Sequence, residues 1–357
     1  MHKSALSSLA VALLAVTANV RAAPLDAFLT ANRSAEVFKP ELELSYDLAN
    51  RAVDFLNLRP TRADGTEGPS GDYSGAHIKI GMNVTPDIWI DGALWKRKID
   101  YVSTTADITS WQIAGQWKMI DGGPGGNSIA VRLGAWGDSS PLLRKTTNVT
   151  VQGTTFASAQ ATNPSDTQLQ LDLIGTWSVA NSLDLSTFIG AGRSNVDFDH
   201  VSATSKSKGC LYDVQFNDTS VVSTCEASGT RISVPNDVFG IDVKQEARYT
   251  SSYVNVGANI AWHPGDWRVR GGVMYTLVNR GAIDDIVATR GGTSYKSNTF
   301  VLAEVGYKWQ PTTLTYIRAQ VMAHQFVGEV PLTYNTLTAP QHRRRYGILS
   351  IGLVQSF

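Results

Sequence analysis

Alternation with a period of two governs this chain. In TQLQLDLIGTWSV, Thr167 to Val179, apolar residues fall at Leu169, Leu171, Leu173, Trp177 and Val179, and Gln168, Gln170, Asp172, Thr176 and Ser178 stand between them. Successive side chains of a strand point to opposite faces, so this is a strand with one apolar and one polar face. The pattern recurs in SGAHIKIGMNV, SWQIAGQWKM, SIAVRLGAW, VNVGANIAW, WRVRGGVMY, FVLAEVGYKW and YIRAQVMAH. About twelve such segments can be counted from Glu41 to Phe357, with ten or fourteen as alternative counts. The chain is therefore all-β, and long one-sided strands must either close on themselves or stack as two sheets.

The connections are unequal. Short ones at 85–87, 122–127, 179–182, 263–266 and 310–313 alternate with long ones at roughly 59–73, 98–108, 138–166, 193–247, 281–298 and 327–345. Short turns thus gather at one end and long loops at the other. Trp117, Trp177, Trp262, Trp267 and Trp309 stand near the short turns on the apolar parity. The core of a two-sheet sandwich could hold them, but they suit better a girdle at a lipid–water boundary, where indole places an apolar body and a polar N–H.

MHKSALSSLAVALLAVTANVRAAPL opens with Lys3, runs apolar from Leu9 to Val16 and reaches Val20-Arg21-Ala22. This pattern is that of a secretory signal peptide, residues 1–22. Its apolar core is too short to span a bilayer, and no later run of about eighteen apolar residues follows, which excludes a helical membrane protein. Lys+Arg and Asp+Glu both number 31. Removing the leader takes away Lys3 and Arg21 and leaves a near-neutral chain with no charge excess for nucleic acid.

The leader, the alternating segments, the asymmetric connections, the tryptophans and the terminal Phe357 together resemble a bacterial outer-membrane β-barrel. The resemblance covers nearly all of the mature chain. It implies a transmembrane antiparallel up-and-down barrel over 41–357 in the bacterial outer membrane, with short periplasmic turns and long extracellular loops, 193–247 among them. The last strand, YGILSIGLVQSF, sets Leu349, Ile351 and Leu353 toward lipid and ends on Phe357, a pattern that the barrel-assembly machinery reads in that class; Gln355 departs from it. The first strand, from Glu41, needs a bulge near 49–52, because Val53 and Phe55 change parity. Residues 23–40, with Leu25, Phe28 and Leu29 at helical spacing, form a short helix or coil that hangs in the periplasm or enters the barrel mouth as a partial plug.

On the polar parity lie Lys79, Asp91, Lys118, Arg132, Asp172, Asp184, Arg268, Arg270, Glu304, Lys308 and Arg318, with Glu41, Glu43, Asp47, His77 and Arg97 beside them. This lumen is expected to be polar throughout. Arg268 and Arg270 stand close to the 263–266 turn and are expected to set its field, offset by Glu304 and Asp184. The run Arg343, Arg344, Arg345 falls at the outer rim, with Arg343 and Arg345 toward lipopolysaccharide phosphates and Arg344 inward. Lys96, Arg97 and Lys98 form a second basic cluster.

Cys210 and Cys225 are equally spaced about Asn217-Asp218, which predicts a disulfide across a hairpin above the membrane. With only His200 nearby they make an incomplete zinc set, so no metal is expected. His200-Val-Ser202 is similar to the His-x-Ser of outer-membrane phospholipase A. It follows Asn195, Asp197 and Asp199, however, where a solvated outer loop is expected, and no other catalytic or phosphate-binding motif occurs. No enzyme activity and no cofactor are expected. The expected function is a channel or transporter for small hydrophilic solutes; a surface adhesin or receptor and, third, a lipid-acting enzyme are the alternatives. Membrane lipid, lipopolysaccharide, the assembly machinery and small solutes are the expected partners.

Overall fold

The computed structural model describes residues 28–33, 36–51, 72–101, 104–123, 126–151, 154–207, 209–236, 248–289, 294–323 and 346–357. The leader, residues 23–27, the parity break at Val53 and Phe55, and Arg343, Arg344 and Arg345 lie outside them. The first seven strands are β1 (Glu41–Arg51), β2 (Asp72–Thr85), β3 (Ile88–Tyr101), β4 (Thr104–Asp121), β5 (Ser128–Ser139), β6 (Leu142–Val151) and β7 (Thr154–Thr162). Next come β8 (Ser165–Ala180), β9 (Leu183–Asp197), β10 (His200–Ser207), β11 (Cys210–Phe216), β12 (Ser220–Cys225) and β13 (Arg231–Pro235). The chain continues through β14 (Tyr249–Trp262), β15 (Trp267–Asn279), α1 (Ala282–Thr289), β16 (Ser297–Gln310), β17 (Thr313–Met322) and β18 (Tyr346–Ser356).

Twelve of these strands close a barrel in the order β1-β18-β17-β16-β15-β14-β9-β8-β5-β4-β3-β2. Every neighbouring pair is antiparallel, and β1 meets β18 from Glu41↔Ser356 to Arg51↔Tyr346. Closure gives each ladder N–H and C=O a partner, which hydrocarbon requires because it offers no water. The alternating residues obey the wall: Ile80, Leu94, Ile113, Leu173, Val301 and Ile351 stand exposed on the outside, while Asp91, Arg132, Asp172 and Glu304 are buried within. Trp117, Trp177, Trp262, Trp267 and Trp309 are all exposed near the short turns. Tyr307 packs edge-on between Trp267 and Trp309, at 5.0 and 5.1 Å. Register shifts fall beside four short turns, at Asn83/Thr85, Lys118/Ile120, Ser178/Ala180 and Lys308/Gln310, so each bulge re-aims the chain only where it leaves the wall.

The opposite end carries a second sheet of six strands, β13-β12-β11-β10-β7-β6. It joins the 138–166 and 193–247 connections, which sequence reading separates. The 98–108 connection is no long loop either, since β3 and β4 stay paired out to Tyr101↔Thr104. Above lipid both faces of a strand meet water, so alternation fades although pairing continues.

Cys210 and Cys225 form a disulfide with Cα atoms 5.9 Å apart. Their register differs from the symmetric one. The turn is centred later, with Phe216 opposite Val221 and the Asn217 N–H donating to the Ser220 carbonyl. Cys225 therefore stands opposite Tyr212, and the bridge runs diagonally to Cys210.

Two outcomes are expected. Replacing both cysteines by serine should remove about 3 kcal/mol of local stabilisation, seen as faster amide exchange confined to β10–β13 with the barrel's unfolding midpoint unchanged. Ile113→Arg, which sets a charge against lipid, should destabilise the folded barrel by about 2–4 kcal/mol in denaturant titrations in liposomes.

Candidate functional site: the barrel lumen

Lumen chemistry follows from strand register. Arg270 on β15 stands directly opposite Glu304 on β16, which stands opposite Arg318 on β17. Facing residues on one side of a sheet interact directly, so register alone brings these charges together. Arg268 joins them. Glu304 Oε1 accepts from Arg268 Nε at 3.0 Å, Arg268 Nη2 at 2.8 Å and Arg270 Nε at 2.9 Å. Oε2 accepts from Arg270 Nη2 at 2.6 Å, Arg318 Nε at 3.0 Å and Arg318 Nη2 at 2.9 Å. One fully buried carboxylate thus holds three guanidiniums.

Arg318 Nη2 also reaches Glu43 on β1 at 3.3 Å, and the Tyr316 hydroxyl donates to the same carboxylate. His77 lies 3.5 Å from Glu43 through Nε2 and 2.7 Å from Asp47 through Nδ1. A second centre forms at Asp91. Arg132 grips it with two parallel bonds of 2.6 and 2.8 Å, the Trp89 indole N–H donates at 2.8 Å, and Lys79 Nζ stands 3.8 Å away. Gly81 makes room for that indole, since a Cβ there would lie 2.3 Å from the ring. Of these groups Glu43, Asp47, His77, Lys79, Arg268, Arg270 and Arg318 line a cavity of about 180 Å3, together with Arg33, Glu41 and Phe28.

The remaining sequence-derived lumen residues lie elsewhere. Lys118 pairs with Asp121 at 2.7 Å beside a turn, and Lys308 is exposed at the same rim. Asp184, expected to offset the arginines, instead accepts from Ser178 Oγ at 2.7 Å. Asp172 is buried and accepts from Gln170. Of the second basic cluster, Lys96 and Lys98 are exposed, whereas Arg97 is buried and donates to Ser110 Oγ at 3.2 Å.

The expectation of a uniformly polar interior is corrected by the structure. Ala130, Ile174, Phe188, Met274, Phe300 and Ile348 belong to one buried apolar cluster inside the wall. Two inserted pieces complete it. From the outer end, Ile283 and Val287 of α1 pack into the cluster, with α1 tied down by Arg280 Nη1 to Asp284 at 3.1 Å and to the Tyr295 carbonyl at 3.0 Å. From the short-turn end come residues 28–33, hereafter the strap.

The strap is irregular rather than helical, because its backbone groups go to wall side chains. The Ala31 N–H donates to Thr176 Oγ1 at 2.8 Å, Gln116 Nε2 donates to the Thr30 carbonyl at 2.9 Å, and Asn259 Nδ2 donates to the Leu29 carbonyl at 2.9 Å. Leu29 and Ala31 join the apolar cluster. The Phe28 ring lies over the Arg270 guanidinium at 4.1 Å, and the Arg33 guanidinium lies over Trp89 at 5.3 Å. Beyond it the Phe38 N–H donates to the Asn83 carbonyl at 2.8 Å, so this segment passes the β2–β3 turn. Sequence reading had one usable signal for the strap and α1: apolar residues on the inward parity, such as Ile174, Phe188 and Phe300, need something apolar to cover them.

A closed antiparallel wall, an outward apolar band edged by tryptophan and a charged inside define the bacterial outer-membrane β-barrel class. No protein-family model matches the chain, and no curated protein matches it. Solved structures that it is similar to include the CymD monoaromatic hydrocarbon channel, at 10% identity over 90% of this chain and 89% of that chain with a TM-score of 0.41. The translocator domain of autotransporter NalP from Neisseria meningitidis is 11% identical over 92% and 91%, with a TM-score of 0.46, and the NanC porin is 10% identical over 88% and 100%, with a TM-score of 0.41. Such values carry no assignment of function, which rests here on the lumen.

Glu304→Gln would leave three neighbouring guanidiniums without their shared counter-charge. It should destabilise the barrel by about 3–5 kcal/mol, read from guanidinium-chloride unfolding in lipid, while Lys308→Gln at the rim should change little.

Proposed function

We propose that this protein is a gated channel or transporter that carries small hydrophilic solutes across the bacterial outer membrane. One observation carries the reading. The strap enters the lumen without contributing a strand to its wall, so it can leave while the barrel stays closed. The path it would open runs past Arg268, Arg270, Arg318, Lys79 and Glu43, groups suited to polar solutes. Such a conduit has no need of catalysis. Ser202, the serine of the His-x-Ser motif, lies in the second sheet and accepts from Gln160 Nε2 at 2.7 Å.

The same reading assigns the partners. The outward apolar band takes membrane lipid, Arg343 and Arg345 take lipopolysaccharide phosphate, and β18 with its exposed Phe357 serves recognition by the assembly machinery. The six-stranded sheet favours a second role, surface recognition by the extracellular end, because two connections are built into one ordered face.

Planar-bilayer recording tests the main reading. Wild type should open rarely, and a variant lacking residues 23–36 should show stepwise conductance with long open times at an unchanged unfolding midpoint. Silence from both proteins, each shown to be folded, would end the channel reading. Identical conductance from both would remove the strap from the gate.

A further inference from the structure

The slot that Phe28 occupies has the features of a ligand site. Its floor is the Arg270 guanidinium plane, 4.1 Å from the ring centre, with the Arg318 guanidinium at 5.6 Å, and Leu302 packs against the ring from the wall. A flat apolar group between a guanidinium face and a leucine is well placed for cation–π attraction. Beside the slot the arginines keep unused capacity. Arg268 and Arg270 each bind Glu304 through Nε and Nη2, which leaves the Nη1 donors of both without an acceptor among the described residues. Neither Nη1 is a buried orphan, and both residues line the cavity of about 180 Å3 next to Phe28.

We propose that, resting on the channel reading above, the slot and these two arginines form a binding site for a small aromatic monocarboxylate, whose ring takes the place that Phe28 holds in the closed state. Planarity is set by the slot. A carboxylate is set by paired guanidinium donors, which match its two oxygens. A single charge is set by the surroundings: Arg268, Arg270 and Arg318 face Glu304 and Glu43, and Glu41 lines the same cavity, so a dianion such as phosphate meets opposing charge. Phe28 is then a tethered competitor. The ligand and the strap exclude each other, and a bound ligand favours the state in which the strap is out.

Equilibrium dialysis of the folded full-length protein with radiolabelled benzoate tests this without requiring conduction. Phe28→Ala should bind benzoate about tenfold more tightly than wild type, since the fraction of protein with the slot open rises. In that background Arg270→Gln should lose about tenfold or more, with circular dichroism and heat-modifiable gel mobility confirming the fold. Should the arginine variant not fold, a ligand series on Phe28→Ala alone decides. Benzoate should bind, and benzyl alcohol, acetate and inorganic phosphate should bind at least about tenfold more weakly. Equal binding of benzyl alcohol would overturn the role of the arginines, equal binding of acetate would overturn the ring slot, and no benzoate binding to Phe28→Ala would overturn the site. A silent bilayer recording beside positive dialysis would sink the channel reading and leave the site standing.

Discussion

The seam between β1 and β18 is the constraint on which everything else depends. A sheet with a free edge in hydrocarbon leaves a row of unsatisfied N–H and C=O groups, each costing several kcal/mol. The eleven-residue ladder from Glu41↔Ser356 to Arg51↔Tyr346 removes that edge. Once the wall is closed, each strand has one face in lipid and one inside, and register becomes nearly absolute. A slip of one residue would turn a strand's lumen charges outward, at about 2–4 kcal/mol for each Arg or Lys near the bilayer midplane. The bulges of the wall strands obey the same limit and sit beside short turns.

Closure also decides what the inside must contain. Charges confined there need partners, and the sequence supplies acids and bases on adjacent strands at matched positions, as in Arg270↔Glu304↔Arg318. Apolar residues confined there need cover, and α1 and the strap supply it. The two insertions are held differently. Arg280 and Asp284 form a buried ion pair that fixes α1 between consecutive strands. The strap is tied mainly by neutral hydrogen bonds, each worth about 0.5–1.5 kcal/mol net, and by burial of Phe28 and Leu29 at about 1.5–3 kcal/mol each. Ordering its residues costs about 1–2 kcal/mol apiece. These opposing quantities close to within a few kcal/mol, the range in which a segment can be both seated and released.

Legibility in the sequence followed the solvent. Lipid imposes a one-sided rule, so the twelve wall strands, the short turns and the tryptophans could be read from parity alone. Outside the membrane that rule lapses. LLRKTTNVTV of β6 and TTFASAQAT of β7 alternate only briefly and with small side chains, at Val149 and Val151 and at Ala157, Ala159 and Ala161, so the strand signal rests mostly on β-branched residues. The cysteine pairing was readable, but its register was not, because a turn at 217–220 and one at Asn217-Asp218 differ by a slip that local composition leaves open. Arg268 and Arg270 were legible as inward residues near a turn. Glu304 was legible as the acid on the next strand that offsets them, but the convergence of Arg318 on the same carboxylate needed the register of β15, β16 and β17, and the contact of Arg270 with Phe28 needed the path of a segment that has no strand period at all.

The division of labour inside the wall bears on gating. Glu304 and Asp91 hold their arginines through wall residues, independently of the strap. When the strap leaves, those wall-to-wall pairs stay intact. What is uncovered is the apolar patch around Ile174 and Phe188, the face of Arg270 and the unused donors beside it. Had the strap carried the counter-charge to the arginines, release would have left buried charge unpaired, at several kcal/mol for each ion, and the lumen would have been locked. A carboxylate on the wall and an aromatic ring on the strap thus separate two tasks: the first keeps the barrel stable in either state, and the second sets how readily the lumen opens.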